Sequence, residues 1–233
     1  MKKFIGTKVI MAEPMTMVEA QKVLGREIKP ATVEEDGYLV EYKDGYKSWS
    51  PKSVFEEAYK LSETFLDRMK VEFDVEFAKW DKGDTFIRSK KFNELPLISR
   101  VLLYAQNKTQ KQFCDLLESR IDVANNNDLM LYAFNFSTAI SLLKAGAAVR
   151  REDWKNSNAF VVKQIPSHIK EDIIPKMQSL PQSAKDILMA RKHPEIKYRN
   201  QLLIIGEDGI ADSWHPTPDD IFAEDWMIVT DEC

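Results

Sequence analysis

The pattern of hydrophobic and polar positions divides the chain into three segments, and the first of them favours short strands. Within residues 1–60, the stretch from Gly37 to Tyr42 alternates as a strand does, and Asp44-Gly45 is a strong hairpin turn signal. Ser50 is a plausible N-cap and Pro51 suits the first position of a short helix. This segment therefore predicts a small α+β domain.

Residues 61–124 have helical periodicity instead. Apolar residues recur at spacings of three and four in two stripes, from Leu66 to Trp80 and from Ile98 to Leu117. Gly83 interrupts the first stripe and predicts the end of the first helix. Two such helices form an antiparallel hairpin, which cannot cover both apolar stripes by itself. We therefore expect the hairpin to pack on a neighbouring domain or, more favourably, on copies of itself as an oligomerisation element.

A polar run from Asn125 to Asp128 predicts a linker to a third unit, residues 129–233. Phe136 to Ala147 has helical periodicity, and Gly146 is a typical C-terminal cap. Prolines bound residues 166–196, which we predict to be a largely helical excursion from a sheet. The other predicted elements are extended segments at 149–154, 159–162, 202–205, 210–214 and 226–229 and a short helix at 216–222.

One succession of elements occurs twice along the chain. A strand, an Asp-Gly turn, a strand, Ser-Trp-x-Pro and a short helix occur from Tyr38 to Glu57 and again from Leu202 to Glu224. This echo suggests a diverged duplication. The predicted fold class is α+β, with small antiparallel-sheet-plus-helix domains at both ends joined by an antiparallel helical hairpin.

Composition excludes several classes of protein. The 233 residues are 44% hydrophobic and 30% charged, with a net charge of -4, which is typical of a soluble globular protein. No run approaches the roughly 18 apolar residues of a membrane span, and no signal sequence is apparent, so we expect a cytoplasmic protein. The 2 cysteines and 3 histidines lack metal-ligand spacing, so no metal or other cofactor is predicted. Mild acidity argues against a general DNA or RNA binder.

Motifs for catalysis are missing, whereas residues suited to binding are present in the third unit. The sequence contains no Gly-rich phosphate loop, no Gly-x-Ser-x-Gly and no His-Glu-x-x-His. Arg151 and Trp154 lie in a turn-rich stretch, and Trp214 lies where a strand passes into a helix. Aromatic side chains at such junctions can stack on a base and an Arg can bind a phosphate. Packing in the core is the more common role of such tryptophans.

Four motifs follow one another in fixed order between about residues 130 and 230. They are Phe136-x-x-Ala139 through Gly146, Val149-x-Arg151-x-x-Trp154, Ser213-Trp214-x-Pro216 and Ala223-Glu224-Asp225-Trp226. Together they resemble the second Thoeris anti-defence family of phage proteins. Residues 174–181, followed by Tyr198-x-Asn200-Gln201, resemble its long-insert branch. The chain departs from the family at Asp153, where members often have Gly, and at Lys155, where they often have Asn.

The resemblance implies a sponge for nucleotide signals. Family members bind cyclic ADP-ribose isomers, the messengers of the bacterial Thoeris immune system, without cleaving them, and some relatives take the cyclic oligonucleotides of other defence pathways such as CBASS. The family implies a homo-oligomer with ligand pockets between subunits, in the cytoplasm of an infected bacterial host. An enzyme that degrades the same signal and a phage structural or protein-interaction module remain alternatives.

The resemblance also implies roles for individual residues. Trp154 and Trp214 would face the adenine or ribose, and Arg151 would contact a phosphate or the protein framework. Polar candidates for the lining of the pocket are Asn200, Gln201 and Asp212.

Overall fold

Short strands near both ends of the chain and long helices between them make up the structure, a computed structural model that describes residues 8–28, 35–125 and 133–230. The predicted α+β class with a helical hairpin is confirmed. Contacts between Cα atoms divide the chain into two units, residues 1–71 and 72–233. Across the described ranges, no helix combines the length and the hydropathy of a bilayer span.

The first unit is built on a three-stranded antiparallel sheet. Its strands β1, β2 and β3 pair in that order. Helix α1 follows β1 and helix α2 follows β3 directly. The bounds are β1 Met11–Pro14, α1 Met17–Leu24, β2 Gly37–Glu41, β3 Lys47–Pro51 and α2 Lys52–Ala58.

Helix α1 was not predicted, although its sequence carries a start and a stop signal. The Thr16 side chain accepts a hydrogen bond from the backbone N–H of Glu19, whose carboxylate accepts one from the Thr16 backbone in return. This capping box satisfies two N–H groups at the helix start. Gly25 ends the helix with φ of 64°, a left-handed conformation that favours glycine.

The predicted N-cap at Ser50 is wrong by one residue. Ser50 belongs to β3, where it pairs with Tyr38, and the strand continues to Pro51. Pro51 occupies the N-cap position without a side-chain hydrogen bond. Strand pairing therefore takes precedence over local capping, and α2 is held instead by side chains, since the rings of Phe55 and Tyr38 stack at 4.1 Å.

The hairpin consists of two long helices and a short one between them. The helices are α3 Phe65–Ile87, α4 Lys90–Asn93 and α5 Leu97–Ala124. Asn125 ends α5, and the rest of the predicted linker, Asn126 to Asp128, lies outside the described residues.

The predicted helix break at Gly83 is wrong, because α3 runs through this residue to Ile87. Asn107 of α5 is buried and donates from Nδ2 to the Trp80 backbone oxygen at 2.9 Å. A Cβ atom at Gly83 would lie 2.8 Å from that nitrogen. Gly83 therefore permits two helices to approach closely, which a helical glycine does as readily as it ends a helix.

The end of the chain forms a five-stranded antiparallel sheet in the order β10-β4-β5-β8-β9. The helix α6 packs on one face of it, and the predicted cap at Gly146, with φ of 99°, is confirmed. The bounds are α6 Phe136–Ala145, β4 Ala148–Arg151, β5 Phe160–Gln164, β6 Ser167–Ile169, α7 Gln182–Met189, β7 Ile196–Tyr198, β8 Gln201–Ile205, β9 Ala211–Ser213, α8 Pro218–Phe222 and β10 Trp226–Val229.

The insert between β5 and β8 is only partly helical, which corrects the prediction of a largely helical segment. Its two ends pair as the antiparallel strands β6 and β7, and α7 lies between them. A 3₁₀ turn at Ile174–Lys176 buries Ile174 completely. Three-residue strands flanked by prolines carry too few residues to show alternation in the sequence.

The extended segment predicted at 149–154 is shorter than expected. Strand β4 ends at Arg151, and a 3₁₀ turn, Glu152–Ser157, brings Trp154 back toward the sheet. The Glu152 N–H donates to the backbone oxygen of Asp225 at 3.0 Å, which holds the start of this turn against the residue before β10.

The two Asp-Gly turns have the same hydrogen bonds. Gly45 donates to the Tyr42 oxygen at 2.8 Å, and Gly209 donates to the Gly206 oxygen at 3.0 Å. In both turns the Asp side chain accepts from the N–H two residues further on, at 3.1 Å and 3.0 Å. Both predicted hairpin turns are thereby confirmed.

The tryptophans that follow these turns differ by one position in register. Tyr42 and Gly206 are equivalent, because each accepts the hydrogen bond of its turn glycine. Trp49 lies opposite Leu39, which is three residues before Tyr42. Trp214 donates its N–H to Leu202, which is four residues before Gly206. A one-residue offset places a side chain on the other face of a strand. The likeness of the two copies thus covers the turns but not the tryptophans, and the duplication stays a prediction.

We predict that Gly83→Ala changes the free energy of unfolding in opposite directions in two backgrounds. In the natural sequence it should lower the free energy of unfolding, because the new methyl group displaces the buried Asn107 amide. In an Asn107→Ala background it should raise that free energy by about 1 kcal/mol through helix propensity. Urea denaturation of the four proteins measures both values, and an equal effect in both backgrounds would contradict the proposed packing.

Candidate ligand-binding site

Four aromatic rings form the centre of the C-terminal sheet domain. Trp226, the first residue of β10, is fully buried and donates from Nε1 to the Asp220 oxygen at 3.0 Å. Trp154 and Trp214 lie 5.4 Å and 5.8 Å from it, between ring centroids, with their planes nearly perpendicular. Phe136 of α6 completes the group. Edge-to-face packing of this kind is the favourable arrangement of aromatic rings.

The two predicted ligand-facing tryptophans differ in how much surface they leave open. Trp214 is 9% exposed and its ring packs against three other aromatic rings. Trp154 is only partly buried at the edge of the same core. Trp154 is therefore the ring with surface left for a ligand, and Trp214 is a core residue in this conformation.

The Arg151 side chain is surrounded by carboxylates. Its Nε lies 2.5 Å from Asp225, and its two terminal nitrogens lie 3.3 Å from Asp220 and from Asp153. The hydrogen bond that Arg151 donates to Asp225 raises the pKa of Arg151, and the side chain is 14% exposed. Asp153, the departure from the family pattern, thus contacts this arginine.

Asp220 is itself fixed from two sides. One of its oxygens accepts from Arg151, and the other accepts from the backbone N–H and the hydroxyl of Thr217, both at 2.8 Å. Thr217 and Asp220 form the capping box of α8. Of the two roles suggested for Arg151, the geometry favours the framework contact, since all three of its side-chain nitrogens donate to carboxylates of the domain.

The three polar candidates lie apart from this core, on the surface of the β8–β9 hairpin. Asn200, Gln201 and Asp212 are all exposed. The Gln201 amide donates to Gln164 across the pair of strands, and Asp212 lies opposite Ile204 on the edge strand β9. The structure therefore places three predicted residues in or beside the core and three on the surface.

Lys163 is a candidate that sequence reasoning missed. It pairs with Leu202, whose backbone oxygen accepts from Trp214, and residues opposite each other in an antiparallel pair point to the same face. Its side chain is partly exposed. In the sequence Lys163 is only the first polar residue after the apolar run from Phe160 to Val162, and the pairing with Leu202 is what places it on the face of the aromatic core. The side chain of Lys155 lies outside the described residues.

Two parts of the chain match models of known protein families. Residues 134–229 match the family model of the Thoeris anti-defense 2-like domain. The resemblance found in the sequence is confirmed for this segment. Residues 63–123, which hold α3 and α5, match a second family model, named Sequestin. No curated protein matches the chain.

The two matches lie beyond residue 62, and each bears on function. The Thoeris anti-defense 2-like domain contains the aromatic core, Arg151 and the three surface candidates, and it supports a role in phage anti-defence. The Sequestin match is compatible with sequestration. Among the residues the structure describes, no group of three or more His, Cys, Asp or Glu side chains could hold a metal ion.

We predict that Arg151→Met destabilises the domain by about 3 kcal/mol, because it removes the cation that Asp220 and Asp225 share. Arg151→Lys should retain part of the stability. Arg150→Met is the matched control, since the buried Nε of Arg150 has no hydrogen-bond partner and the side chain points to the other face of β4. Chemical denaturation measures all three variants, and equal losses for Arg150→Met and Arg151→Met would disprove the role of the carboxylates.

Proposed function

We propose that this protein is a phage anti-defence sponge, which binds cyclic nucleotide immune signals in the cytoplasm of an infected bacterium and holds them without cleaving them. The observation that carries the proposal is the match of residues 134–229 to the Thoeris anti-defense 2-like domain. Cyclic ADP-ribose isomers are the proposed ligands, with cyclic oligonucleotides as further candidates.

The arrangement of polar groups supports binding without turnover. The carboxylates nearest the aromatic core are used as hydrogen-bond acceptors, Asp225 by Arg151 and Asp220 by Arg151 and Thr217. A general acid or base must be within reach of a substrate proton. These two aspartates serve the framework instead, which favours the sponge over an enzyme acting at this place.

A sponge must hold its ligand more tightly than the sensor does, which requires enclosure. A dissociation constant of 1 nM corresponds to about -12 kcal/mol, and sites of such affinity bury most of a ligand's surface. Asn200, Gln201 and Asp212 are exposed on the surface of one chain. We therefore propose that a second copy covers them, so that the ligand lies between subunits of a homo-oligomer.

The proposed ligand contacts combine one aromatic edge with polar and cationic groups. The exposed part of Trp154 would contact the base or ribose, and Lys163 would contact a phosphate. Gln201 and Asp212 would bind hydroxyl or amino groups of the nucleotide.

Release of bound ligand tests the proposal directly. The full chain is incubated with a panel of cyclic ADP-ribose isomers and cyclic di- and trinucleotides, separated from free ligand, denatured by heat and analysed by mass spectrometry. Intact ligand in stoichiometric amount is expected. A new product would establish the degrading enzyme.

A thermal-shift measurement with the same panel tests the third alternative. Ligand at a hundredfold excess over its dissociation constant stabilises a protein by about 2.7 kcal/mol. If no member of the panel shifts the melting temperature, the structural or protein-interaction module replaces the sponge.

We predict that Gln201→Ala and Asp212→Ala each weaken ligand binding about tenfold, the loss expected for one hydrogen bond of about 1.4 kcal/mol. Both residues are exposed, so the melting temperature of the free protein should not change. Lys192→Ala is the control, because Lys192 is equally exposed but lies after α7 in the insert. Isothermal titration measures the affinities, and equal affinity in all three variants would remove Gln201 and Asp212 from the site.

A further inference from the structure

A cavity of about 670 Å³ lies at one end of the first unit, beside the turn that joins β2 to β3. Residues 8–10, which lead into β1, line one side of it, and the turn residues Tyr42, Lys43, Asp44 and Tyr46 line the other. Its volume is within the range of small-molecule binding sites. The end of this sheet is therefore a concave surface large enough for one small ligand.

Hydrogen bonds hold the turn in one conformation. The Tyr42 N–H donates to the Tyr46 oxygen at 2.9 Å, and the Gly45 N–H donates to the Tyr42 oxygen at 2.8 Å. The Asp44 carboxylate accepts from the Tyr46 N–H at 3.1 Å. The rings of Tyr42 and Tyr46 lie side by side on this turn, with their centroids 5.9 Å apart and their planes 31° apart. Because the turn is already ordered, the protein loses little conformational entropy when a ligand contacts these rings.

Cations lie against both tyrosine rings. The Lys8 Nζ is 5.8 Å from the centroid of the Tyr42 ring, and the Arg26 guanidinium carbon is 5.6 Å from that of the Tyr46 ring. Arg26 also donates to the Tyr46 hydroxyl at 3.0 Å, which fixes the outer end of this ring. Tyr46 is still 53% exposed. The wall of the cavity therefore offers aromatic surface with positive charge beside it.

The lining of the cavity carries more positive than negative charge. Lys8 and Lys43 line it together with one carboxylate, that of Asp44. Within the described part of the chain neither lysine forms an ion pair, whereas Lys47 on the adjoining strand is paired with Glu41 at 3.1 Å. This local excess occurs in a chain whose net charge is -4. Cations that face a cavity without a carboxylate partner attract an anion.

We propose that this cavity binds a nucleotide, whose base contacts the rings of Tyr42 and Tyr46 and whose phosphate is held by Lys8 and Lys43. The site is separate from the one proposed in the C-terminal domain. It gives a ligand to the part of the chain that precedes both family matches, which cover residues 63–123 and 134–229.

The combination of groups selects a nucleotide over simpler ligands. Lysine ammonium groups bind phosphate as point charges, and aromatic side chains stack on any base because every base has a π-face. Inorganic phosphate would leave the exposed ring of Tyr46 uncovered, and a nucleoside would leave both lysines without an anion. A longer strand of nucleic acid needs a positive field along its whole path, but residues 1–60 contain 10 basic and 10 acidic side chains.

Trp49, the largest aromatic residue of this unit, is used elsewhere. It lies in β3 opposite Leu39, and its indole N–H donates to the Met15 backbone oxygen at 2.8 Å. Its ring does not line the cavity beside the turn. The aromatic surface available to a ligand here is therefore that of the two tyrosines.

Isothermal titration of the full chain with adenosine monophosphate, adenosine and inorganic phosphate tests the proposal. Adenosine monophosphate is expected to bind with a dissociation constant below about 1 mM, and the other two at least about tenfold more weakly, because each uses one part of the site only. Equal affinity for adenosine monophosphate and phosphate would reduce the site to an adventitious anion contact. Absence of binding by adenosine monophosphate would also overturn the proposal.

Substitution of Tyr46 tests where the nucleotide binds. Tyr46→Ala should weaken adenosine monophosphate about tenfold, the loss expected for one base stacked on an aromatic ring, whereas Tyr46→Phe keeps the ring and should retain the affinity. Tyr104→Ala is the matched control, because Tyr104 of α5 is 51% exposed and also has a lysine, Lys108, 5.8 Å from its ring centroid. Equal affinities of Tyr46→Ala and Tyr104→Ala would exclude the turn as the site.

A change of charge tests the phosphate contact without disturbing the fold. Lys43 is exposed, so Lys43→Gln should leave the melting temperature unchanged. It should weaken adenosine monophosphate about fivefold and leave the affinity for adenosine unchanged. Lys60→Gln is the control, since Lys60 is an equally exposed lysine that lies after α2. An equal affinity of both variants for adenosine monophosphate would contradict the proposed role of Lys43.

A variant of the C-terminal domain separates this proposal from the proposed function. Gln201→Ala should leave the affinity for adenosine monophosphate unchanged, and Tyr46→Ala should leave the release of intact cyclic nucleotide unchanged. Loss of adenosine monophosphate binding in Gln201→Ala would place this nucleotide in the C-terminal domain and overturn the site at the turn.

Discussion

The guanidinium group of Arg151 binds carboxylates from three places in the chain, and the C-terminal domain depends on this contact. Asp153 belongs to the 3₁₀ turn after β4, Asp220 belongs to α8, and Asp225 precedes β10. The turn, the helix and the last strand are thus held to one planar group. Since Asp220 also caps α8 and its backbone oxygen accepts from Trp226, the polar cluster and the aromatic core fix one another.

This cluster makes the interior of the domain rigid, and its charged groups serve structural hydrogen bonds rather than a reaction. Charge-assisted hydrogen bonds to three carboxylates hold Arg151 in one orientation, and transferring its guanidinium to a ligand phosphate would take this cation away from Asp220 and Asp225. Ligand recognition then falls to groups at the margin of the core, where Trp154 and Lys163 retain exposed surface. Buried groups hold the cluster together, and the exposed groups lie outside its hydrogen bonds.

The sequence predicts those elements whose signals are local. The Asp-Gly turns, the cap at Gly146, the strands β2, β5, β8 and β10 and the helical hairpin were all found, because each depends on residues within one turn or one short window. Gly83 and Ser50 were misread for the same reason. The role of Gly83 depends on Asn107 in another helix, and the role of Ser50 depends on Tyr38 in another strand.

The candidate site was less predictable than the fold. Motif order identified the domain, but a motif does not tell which of its residues face inward. Arg151 donates hydrogen bonds to Asp220 and Asp225, which lie about seventy residues away in the sequence. No local sequence pattern joins these residues. Lys163 is the fourth residue of β5, but it stands in no motif, and the apolar run from Phe160 to Val162 does not alternate, so the sequence does not show which face Lys163 occupies.

The insert between β5 and β8 enters and leaves the sheet at neighbouring points. Gln164 and Gln201, its two flanking residues, are opposite each other in the paired strands, and β6 and β7 continue this pairing outward. A segment whose ends are already joined can lengthen, shorten or be exchanged without moving the strands that carry it. The domain can therefore acquire new contacts at this position over evolution while its aromatic interior stays the same.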